Sequence, residues 1–415
     1  MQHVNLNGVT YRGPLVPVVV VCIDGGAPAY LEHGVAEGLL PTIARFQRDG
    51  FAAVAQGTMP SFTCPNNLSI ITGAPPAVHG ISGNFYLNEA GEAVVMTGPE
   101  LMRSRTILAQ FADAGASVVS ITAKDKLRRQ LGKDLDLARG GVSFSAEFAD
   151  RCTLAENGIE NVLELAGMAQ PDMYSGELSL FVLEAGIQLL QRRRPDLMYL
   201  SLTDYIQHKH APGDPAANAF YASLDACFGR LEALGAVVAL IADHGMNDKC
   251  LPDGRPKVIF LQDLLDREFG AGDTRVICPI TDAFVRHHGA LGGFVRVWCR
   301  GGKATPEAII ALAGQLPGVE LALDRGETCR RFQLPPDREG DVAVLADAHT
   351  VIGAGEADHD LAQLAGHRLR SHGALSEARV PFLLNRPLSA GYRDRAAAGL
   401  RSHQIFEYAL NAVEA

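Results

Sequence analysis

The chain has 415 residues and 47% of them are hydrophobic, so it can bury a large core in two or three domains or in one large domain with insertions. Its formal net charge of −10 argues against a nucleic-acid coat and against a general binder of membrane surfaces, so we expect neither nucleic acid nor membrane as a partner. A small anionic ligand is compatible with this charge, because a site can be locally cationic on an acidic protein.

The first predicted element is the apolar run "VVVVCI" near the start of the chain. It is too short to span a membrane, and it lacks the charged start and the small-residue cleavage site of a signal peptide. The eight cysteines show no CxxC pair or regular spacing, which is typical of reduced thiols rather than of a disulfide framework. We therefore expect a cytoplasmic protein.

Short β-branched runs then alternate with longer helical patterns along the chain. The runs "VVVVCIDGG", "SVVSITAKDK", "LMYLSLTD" and "AVVALIADHG" read as buried strands, and helices such as "GELSLFVLEAGIQLLQRRR" lie between them. Continuous apolar strands of this kind favour a parallel sheet that is covered on both faces. The predicted fold class is α/β, with a mostly parallel central sheet flanked by helices.

Polar residues stand at the carboxyl ends of these four strands. Ligands of open α/β sheets bind beyond the carboxyl ends of the strands, so we expect these side chains to collect on one rim. They are Asp24, Lys124, Asp204, Asp243 and His244.

Two regions interrupt the alternation. The segment 267–340 contains "FVRVWCR", a helix-like "TPEAIIALAGQL" and "VELAL", and we interpret it as an inserted, smaller α+β cap subdomain. The segment from about 125 to 158 is charged and is interpreted as a short insertion. The catalytic core is then predicted to comprise residues 1–266 and 341–415.

Candidate metal ligands recur in four motifs. Asp204 and His208 in "TDYIQH" are spaced i, i+4 and would share one face of a helix. Three of the motifs are weak when taken singly, because such a pair is commonly a surface salt bridge, Asp-Gly is ordinary turn chemistry, and His367 competes with His372 of "SHG". The motif "ADHG" is more specific, since an Asp and a His at the end of an apolar strand have little structural use. Together they supply three carboxylates and three imidazoles, which suit zinc or a similar ion, and two ions fit this number of ligands. The six residues are Asp24, Asp204, His208, Asp243, His244 and His372.

The segment "MPSFTCPNNLSIITG" places Thr63 in front of an apolar helix. Ser, Thr, Asn and Pro are ordinary helix-start residues, so a structural explanation is available for the whole segment. A helix N-terminus also directs backbone N–H groups at an anion, and a threonine hydroxyl near a metal ion can be activated as a nucleophile. We assign Asn66 and Asn67 to capping or packing, with no catalytic role.

The motif order resembles that of the alkaline phosphatase superfamily: "IDGG", "SFTCPNNLSIITG" with "HGISGN", "TDYIQH", "ADHGM" and "SHG". The middle stretch is similar to the nucleotide pyrophosphatase/phosphodiesterase branch. Within that branch, "MPSFTCPNNLSIITGAPPAVHGISGNFY" together with "ITAKDKL" resembles the members that hydrolyse the carbon–phosphorus bond of phosphonoacetate. The motifs span residues 24 to 373.

The resemblance implies two zinc ions per subunit, with other divalent transition ions as alternatives. One ion would be held by Asp204, His208 and His372. The other would be held by Asp24, Asp243 and His244, with Thr63 as the nucleophile on that metal. Asn84 matches the residue that hydrogen-bonds a phosphoryl oxygen. Cys64 replaces the usual aromatic residue and Asn67 the usual histidine of the phosphodiesterase pattern, which weakens the expectation of nucleotide specificity.

The implied reaction converts phosphonoacetate to acetate and phosphate through a phosphothreonine at Thr63. The leaving carbanion is stabilised by its carboxylate, so the site needs cations near that group. Lys124 and Lys126 are the candidates, since alternate residues of an extended segment face the same way. His210 in "HKH" is a further candidate. The structural alternative for Lys124 and Lys126 is a solvated pair.

Three alternatives stay open at this point. The first is a nucleotide pyrophosphatase, phosphodiesterase or other phosphoryl-ester hydrolase on the same core. The second is a phosphomutase, which would have to protect its phosphoenzyme from water. The third is a catalytically inactive metal-binding module that uses the cap for partner contacts. The expected partner is a small anionic phosphonate, and a homodimer is an open alternative for the assembly.

Overall fold

A computed structural model describes residues 3–88, 90–280, 289–364 and 367–413. Its centre is a seven-stranded sheet with the strand order Phe51–Gln56, Arg379–Leu384, Val237–Ile241, Val18–Cys22, Leu197–Ser201, Val118–Thr122 and Val142–Ser145. The last five strands are mutually parallel, whereas Arg379–Leu384 runs antiparallel to both of its neighbours. The predicted α/β class with a mostly parallel sheet is confirmed.

The central sheet is buried on both faces because successive side chains of a strand point in opposite directions. In the strand Val18–Cys22, Val19 and Val21 enter one apolar cluster, and Val18, Val20 and Cys22 enter the other. This explains why the strand sequence is continuously apolar rather than alternating.

Helices cover each face of the central sheet. The first cluster is closed by Pro28–Ala36, Pro41–Asp49, Val162–Ala166, Glu177–Arg193 and Pro215–Ala233. The second is closed by Thr63–Thr72, Ile107–Asp113, Asp125–Leu131, Ala390–Ala397 and Ile405–Glu407 with the π-helical turn Tyr408–Ala412. Asp214 caps the helix Pro215–Ala233, because its carboxylate accepts from the backbone N–H of Ala216. Among the described residues, we find no helix with the length and the apolar character that a membrane crossing requires.

A second, antiparallel sheet has the strand order Thr274–Ile277, Phe294–Cys299, Val342–Ala346 and Val319–Asp324. Leu261–Phe269, Pro306–Ala313 and Arg325–Phe332 pack on it around a third apolar cluster. This layer extends beyond the segment 267–340 at both ends, because Val342–Ala346 and the helix Leu261–Phe269 belong to it. The division of the chain into a core and a cap at these boundaries stays a prediction.

The segment 125–158 differs from the short insertion expected from its charge. It contains Val142–Ser145, which pairs in parallel with Val118–Thr122 and forms an edge strand of the central sheet. The run "VSFS" is short and half polar, so it gives a weak strand signal although all four residues are buried.

The remaining elements are small. Short helices are Pro76–His79, Leu154–Asn157 and Tyr205–Lys209. Two-stranded ladders are Val4–Leu6 with Val9–Tyr11, Phe85–Leu87 with Ala93–Val95, Asn247–Asp248 with Arg370–Ser371, and Val258–Phe260 with Val351–Gly353. The ladder of Asn247–Asp248 with Arg370–Ser371 connects the chain after His244 to the chain before His372.

Candidate active site

The candidate site lies along the carboxyl-end rim of the central sheet. The residues that follow these strands emerge at the same edge, because the strands before Asp24, Lys124, Asp204 and Asp243 are four consecutive parallel strands of the sheet. His372 arrives from the loop before the antiparallel strand Arg379–Leu384. The strand-end prediction therefore places the carboxylates correctly, and the long-range loop adds an imidazole.

The first donor group comprises Asp204, His208 and His372, which each offer one ligand atom within 4.8 Å of the others. Asp204 is the N-cap of the helix Tyr205–Lys209, and its Oδ2 lies 2.9 Å from Nε2 of His208, as the i, i+4 spacing predicts. His208 Nδ1 lies 2.7 Å from the carbonyl oxygen of Arg370, and His372 Nδ1 lies 2.8 Å from that of Ser61. Main-chain carbonyls thus engage both Nδ1 atoms, which leaves each Nε2 as the ligand atom.

The second donor group comprises Asp24, Asp204 and His244, again with ligand atoms within 4.8 Å of one another. His244 Nε2 lies 3.2 Å from Asp24 Oδ1 and 3.7 Å from Asp243 Oδ2, while its Nδ1 lies 2.9 Å from the carbonyl oxygen of Gly245. Asp204 belongs to both groups, which the sequence did not indicate. The two groups are in contact, because the imidazole rings of His244 and His372 stack with centroids 3.6 Å apart.

Burial and like charges perturb these groups. Burial, reinforced by the nearby carboxylate of Asp24, raises the pKa of Asp243 well above its ordinary value. Burial opposes protonation of His244, but the carboxylates of Asp243 and Asp24 outweigh it and raise the pKa of His244 to about 10. Burial and the neighbouring His244 and His208 lower the pKa of His372. The site thus concentrates buried negative charge that needs cations, and its oxygen and nitrogen donors fit zinc-like divalent ions.

Thr63 is the first residue of the helix Thr63–Thr72, as predicted, and its Oγ1 lies 3.2 Å from Nε2 of His244. The preceding loop is held by the buried side chain of Asn66, whose Oδ1 accepts from the N–H of Thr58 at 2.7 Å. Asn66 Nδ2 donates to the carbonyl oxygens of Thr58, Pro60 and Phe62. Asn66 is therefore a structural residue, and the hydroxyl of Thr63 sits beside the second donor group.

Asn67, which the sequence assigned to capping or packing, is hydrogen-bonded to two residues of the site. Its Nδ2 donates to Asp243 Oδ2 and to the carbonyl oxygen of Thr63, both at 3.1 Å. Its Oδ1 accepts from the hydroxyls of Tyr199 at 2.7 Å and Ser201 at 2.9 Å. The i, i+4 spacing from Thr63 was the available signal, since it puts Asn67 on the same side of the helix. Asn67 orients the carboxylate of Asp243.

Asn84, Lys124 and Lys126 line the cavity in front of Thr63, together with Asp24, Asp204, His208 and His372. Lys126 Nζ donates to Asn84 Oδ1 at 3.2 Å, and Lys124 Nζ lies 3.8 Å from Asp204 Oδ1. The argument from an extended segment is wrong, because the helix Asp125–Leu131 begins between the two lysines and Lys124 is its N-cap. Both lysines line the cavity nevertheless.

The structure does not bring His210 into this group. His210 does not line the cavity, and its Nδ1 lies 3.2 Å from Asp214 Oδ1 at the start of the next helix. His367, the competitor of His372, is exposed, whereas His372 is buried in the first donor group. The structure thus favours His372 over His367 as a ligand.

The fold and the donor groups are those of a metal-dependent phosphoryl-transfer protein. The profile of the type I phosphodiesterase/nucleotide pyrophosphatase family matches residues 18–367, and the chain belongs to this family. An uncharacterised pyrophosphatase/phosphodiesterase of Schizosaccharomyces pombe (strain 972 / ATCC 24843) is 24% identical over 264 residues, which are 60% of this chain and 48% of that protein. The chain thus spans about half the length of that curated relative.

Among solved structures, the chain is similar to phosphonoacetate hydrolase from Sinorhizobium meliloti 1021, crystallised with phosphonoformate and with phosphonoacetate. The sequence identity is 46% for the first structure and 45% for the second, and both superpose with a TM-score of 0.93. In each case the match covers 99% of this chain and 98% of the hydrolase chain. An inactive murine ectonucleotide pyrophosphatase/phosphodiesterase 5 in complex with AMP shares the fold, with 16% identity, a TM-score of 0.62 and 96% coverage of both chains.

Proposed function

We propose that the chain hydrolyses the carbon–phosphorus bond of phosphonoacetate to acetate and phosphate, with two zinc ions as cofactors. The observation that carries this proposal is the cavity in which Thr63, two contiguous Asp/His donor groups and two lysines face one another. It is supported by 46% identity over 99% of the chain to a phosphonoacetate hydrolase.

One ion would be held by Asp204, His208 and His372. The other would be held by Asp24 and His244 of the second donor group and by Asp243, whose Oδ2 lies 3.7 Å from His244 Nε2, next to Thr63. When bound, such ions supply positive charge for a developing anion and lower the pKa of a ligated hydroxyl. Asn67 fits this assignment, because it donates to Asp243 Oδ2 and so fixes the orientation of that carboxylate as a ligand.

The reaction begins when the deprotonated Oγ1 of Thr63 attacks phosphorus in line with the carbon–phosphorus bond. The bond breaks, and its electron pair passes to the methylene carbon and is delocalised into the carboxylate as an enolate. A proton from water completes acetate, and the hydroxide that remains is neutralised by the proton that Thr63 released on deprotonation. A second water then forms a P–O bond and breaks the Thr63–phosphorus linkage, which releases phosphate and restores the hydroxyl.

The lysines act on the leaving half of the substrate. The carboxylate gains charge as the carbon–phosphorus bond breaks, so cations that contact it are worth more in the transition state than in the ground state. We assign this role to Lys126 and Lys124. Asn84 is assigned to a phosphoryl oxygen, as the family resemblance implies, and its Nδ2 is fixed in place by a hydrogen bond to the carbonyl oxygen of Ile280 at 3.1 Å.

The test is the specificity of the purified, zinc-loaded protein. Release of phosphate and of acetate is measured with phosphonoacetate, and turnover is compared with a nucleotide diester and a simple phosphate monoester, with Thr63→Ala as the blank. We expect the highest kcat/KM for phosphonoacetate. A higher kcat/KM for the diester would instead support the phosphodiesterase alternative, which the family match favours. Bound metal without turnover of any substrate would support the inactive metal-binding module.

Location and assembly are separate proposals. We keep the cytoplasmic location expected from the sequence, which cell fractionation tests. Light scattering on the zinc-loaded protein decides between a monomer and a homodimer.

A further inference from the structure

Glu377 is a buried carboxylate that the proposed reaction does not use. Its side chain is 0% exposed and pairs with the equally buried ammonium of Lys249, with 2.9 Å between Oε1 and Nζ. Oε1 also accepts from Asn247 Nδ2 at 2.5 Å and from the Ser376 hydroxyl at 2.7 Å. Oε2 accepts from the N–H of Ala374 at 2.9 Å. Four donors therefore converge on a single carboxylate.

These donors come from the two segments that follow His244 and His372. The main chain adds a further link between the segments, because the N–H of Gly245 donates to the carbonyl oxygen of Glu377 at 2.6 Å. The N–H of Lys249 likewise donates to the carbonyl oxygen of Leu369 at 2.9 Å. Glu377 thus joins, through side chain and backbone, the chain that carries His244 to the chain that carries His372.

The network continues to the loop of the nucleophile. Ala374 donates its N–H to Glu377, and its carbonyl oxygen accepts from the hydroxyl of Ser61 at 2.7 Å. The carbonyl oxygen of Ser61 lies 2.8 Å from Nδ1 of His372, and Thr63 follows two residues later. The hydrogen-bond network of the Glu377 carboxylate therefore connects the three segments that carry His244, His372 and Thr63.

A fully buried ion pair is a weak source of stability, because the desolvation of both charges offsets their attraction. The carboxylate of Glu377 nevertheless holds Lys249 and three other loop donors in fixed places, which an apolar side chain of the same size could not do. We infer that Glu377 is a positioning residue that sets the place of His372 relative to His244 and Thr63, with Lys249 as its buried ion-pair partner. This inference rests on the proposed metal-dependent function.

The inference predicts an effect on one metal site. The side chain of Glu377 holds the N–H of Ala374, two residues from His372, whereas its donors on the other segment, Asn247 and Lys249, lie further from His244 along the chain. Gly245, next to His244, is held by the Glu377 main chain, which substitutions leave in place. Loss of the carboxylate should therefore weaken the ion held by Asp204, His208 and His372 more than the other ion.

The test variant is Glu377→Gln, which keeps the shape of the side chain. An amide offers one acceptor oxygen in place of two, so at least one of the converging donors loses its partner in either orientation. Zinc is titrated stepwise into the metal-free protein in competition with a chromophoric chelator. We expect the affinity of one equivalent to fall by about tenfold to a hundredfold, as for other residues that orient metal ligands, while the second equivalent is unchanged.

Two further variants separate positioning from stability. Glu339→Gln is the matched control, because the Arg296–Glu339 pair in the antiparallel sheet is also 0% exposed on both side chains. It should lower the melting temperature and leave both zinc affinities unchanged. The double variant Lys249→Met/Glu377→Gln removes both buried charges, so it should melt higher than Glu377→Gln yet keep the weakened equivalent.

The outcomes distinguish this inference from the proposed function. Unchanged affinities in Glu377→Gln, an equal loss at both equivalents, or recovery of the affinity in the double variant would overturn the positioning role while the wild-type chain still hydrolyses phosphonoacetate. A wild-type chain that takes up zinc but releases no phosphate from phosphonoacetate would contradict the proposed function alone, and the selective loss in Glu377→Gln would still support the positioning role.

Discussion

The two lysines of the cavity provide the sharpest test of the substrate, and the structure makes them inequivalent. Lys126 Nζ donates to Asn84 Oδ1 at 3.2 Å and is assigned to the substrate carboxylate. Lys124 Nζ lies 3.8 Å from Oδ1 of Asp204, which belongs to both donor groups. Removal of the Lys126 charge should therefore act on the carboxylate of the substrate, whereas removal of the Lys124 charge should also disturb the metal site.

The magnitude follows from the contact that is lost. A charge-assisted hydrogen bond contributes about 1.5–3 kcal/mol, which corresponds to about a tenfold to a hundredfold change in rate. Lys126→Met should lower kcat/KM for phosphonoacetate by this factor and should lower it much less for 4-nitrophenyl phosphate, which has no carboxylate. Part of the loss should appear in kcat, since the carboxylate gains charge in the transition state. Lys124→Met should lower kcat/KM for both substrates.

The assay is steady-state phosphate release for both substrates at saturating zinc. Lys133→Met is a matched control, because Lys133 follows the same helix but donates to the carbonyl oxygen of Met102, at 2.6 Å, and does not line the cavity. Equal losses on both substrates in Lys126→Met would refute the carboxylate role and assign Lys126 to the phosphoryl group or to Asn84. No loss on either substrate would mean that Lys126 is a solvated lysine without a role in the reaction, as in the structural alternative.

The other predictions concern the nucleophile and the metal ligands. Thr63→Ala should abolish turnover with normal zinc content, and retention of more than about a hundredth of kcat, a barrier increase below about 2.7 kcal/mol, would contradict the assignment. His372→Ala should lose one zinc equivalent by metal analysis, whereas the exposed His367→Ala should keep both, and the opposite result would exchange their roles. Asn67→Ala removes one of the donors to Asp243 and strands the Tyr199 and Ser201 hydroxyls, so it should weaken one zinc equivalent by about tenfold to a hundredfold and lower the melting temperature. Unchanged zinc affinity would reduce Asn67 to a packing residue.

The sequence was sufficient where local pattern determines structure. The apolar runs before Asp24, Asp204 and Asp243 form parallel strands, so their polar ends meet on one rim without any knowledge of the loops. The spacing of Asp204 and His208 required only a helix, and the helix Tyr205–Lys209 supplies it. The place of Thr63 at a helix start likewise followed from its neighbours.

The parts that were missed depend on contacts between distant segments. Asn67 was treated as a packing residue because its partner Asp243 lies 176 residues away in the chain. Glu377 lies shortly after the "SHG" motif but was not singled out, because its role depends on Lys249, 128 residues earlier. The conformation around Lys124 and Lys126 was misjudged because a charged helix start and an extended segment have similar sequences. His210 was grouped with its neighbour His208, but the chain turns away after the helix Tyr205–Lys209.

The wall of the cavity opposite the donor groups bears on the choice between a phosphonate and a nucleotide diester. Asn84 is anchored by the backbone that follows the strand Thr274–Ile277, because its N–H donates to the carbonyl oxygen of Pro279 at 2.9 Å and its Nδ2 to that of Ile280 at 3.1 Å. Lys126, on the helix that follows the strand Val118–Thr122, donates a hydrogen bond to Asn84 Oδ1. A nucleoside leaving group would need an apolar or aromatic surface on this side, whereas a short carboxylate needs cations. The described lining of the cavity offers both, with Phe62, Leu127, Leu202 and Ile280 as apolar residues and Lys124 and Lys126 as cations. The pair of ammonium groups favours phosphonoacetate over a diester as the substrate of the shared catalytic core.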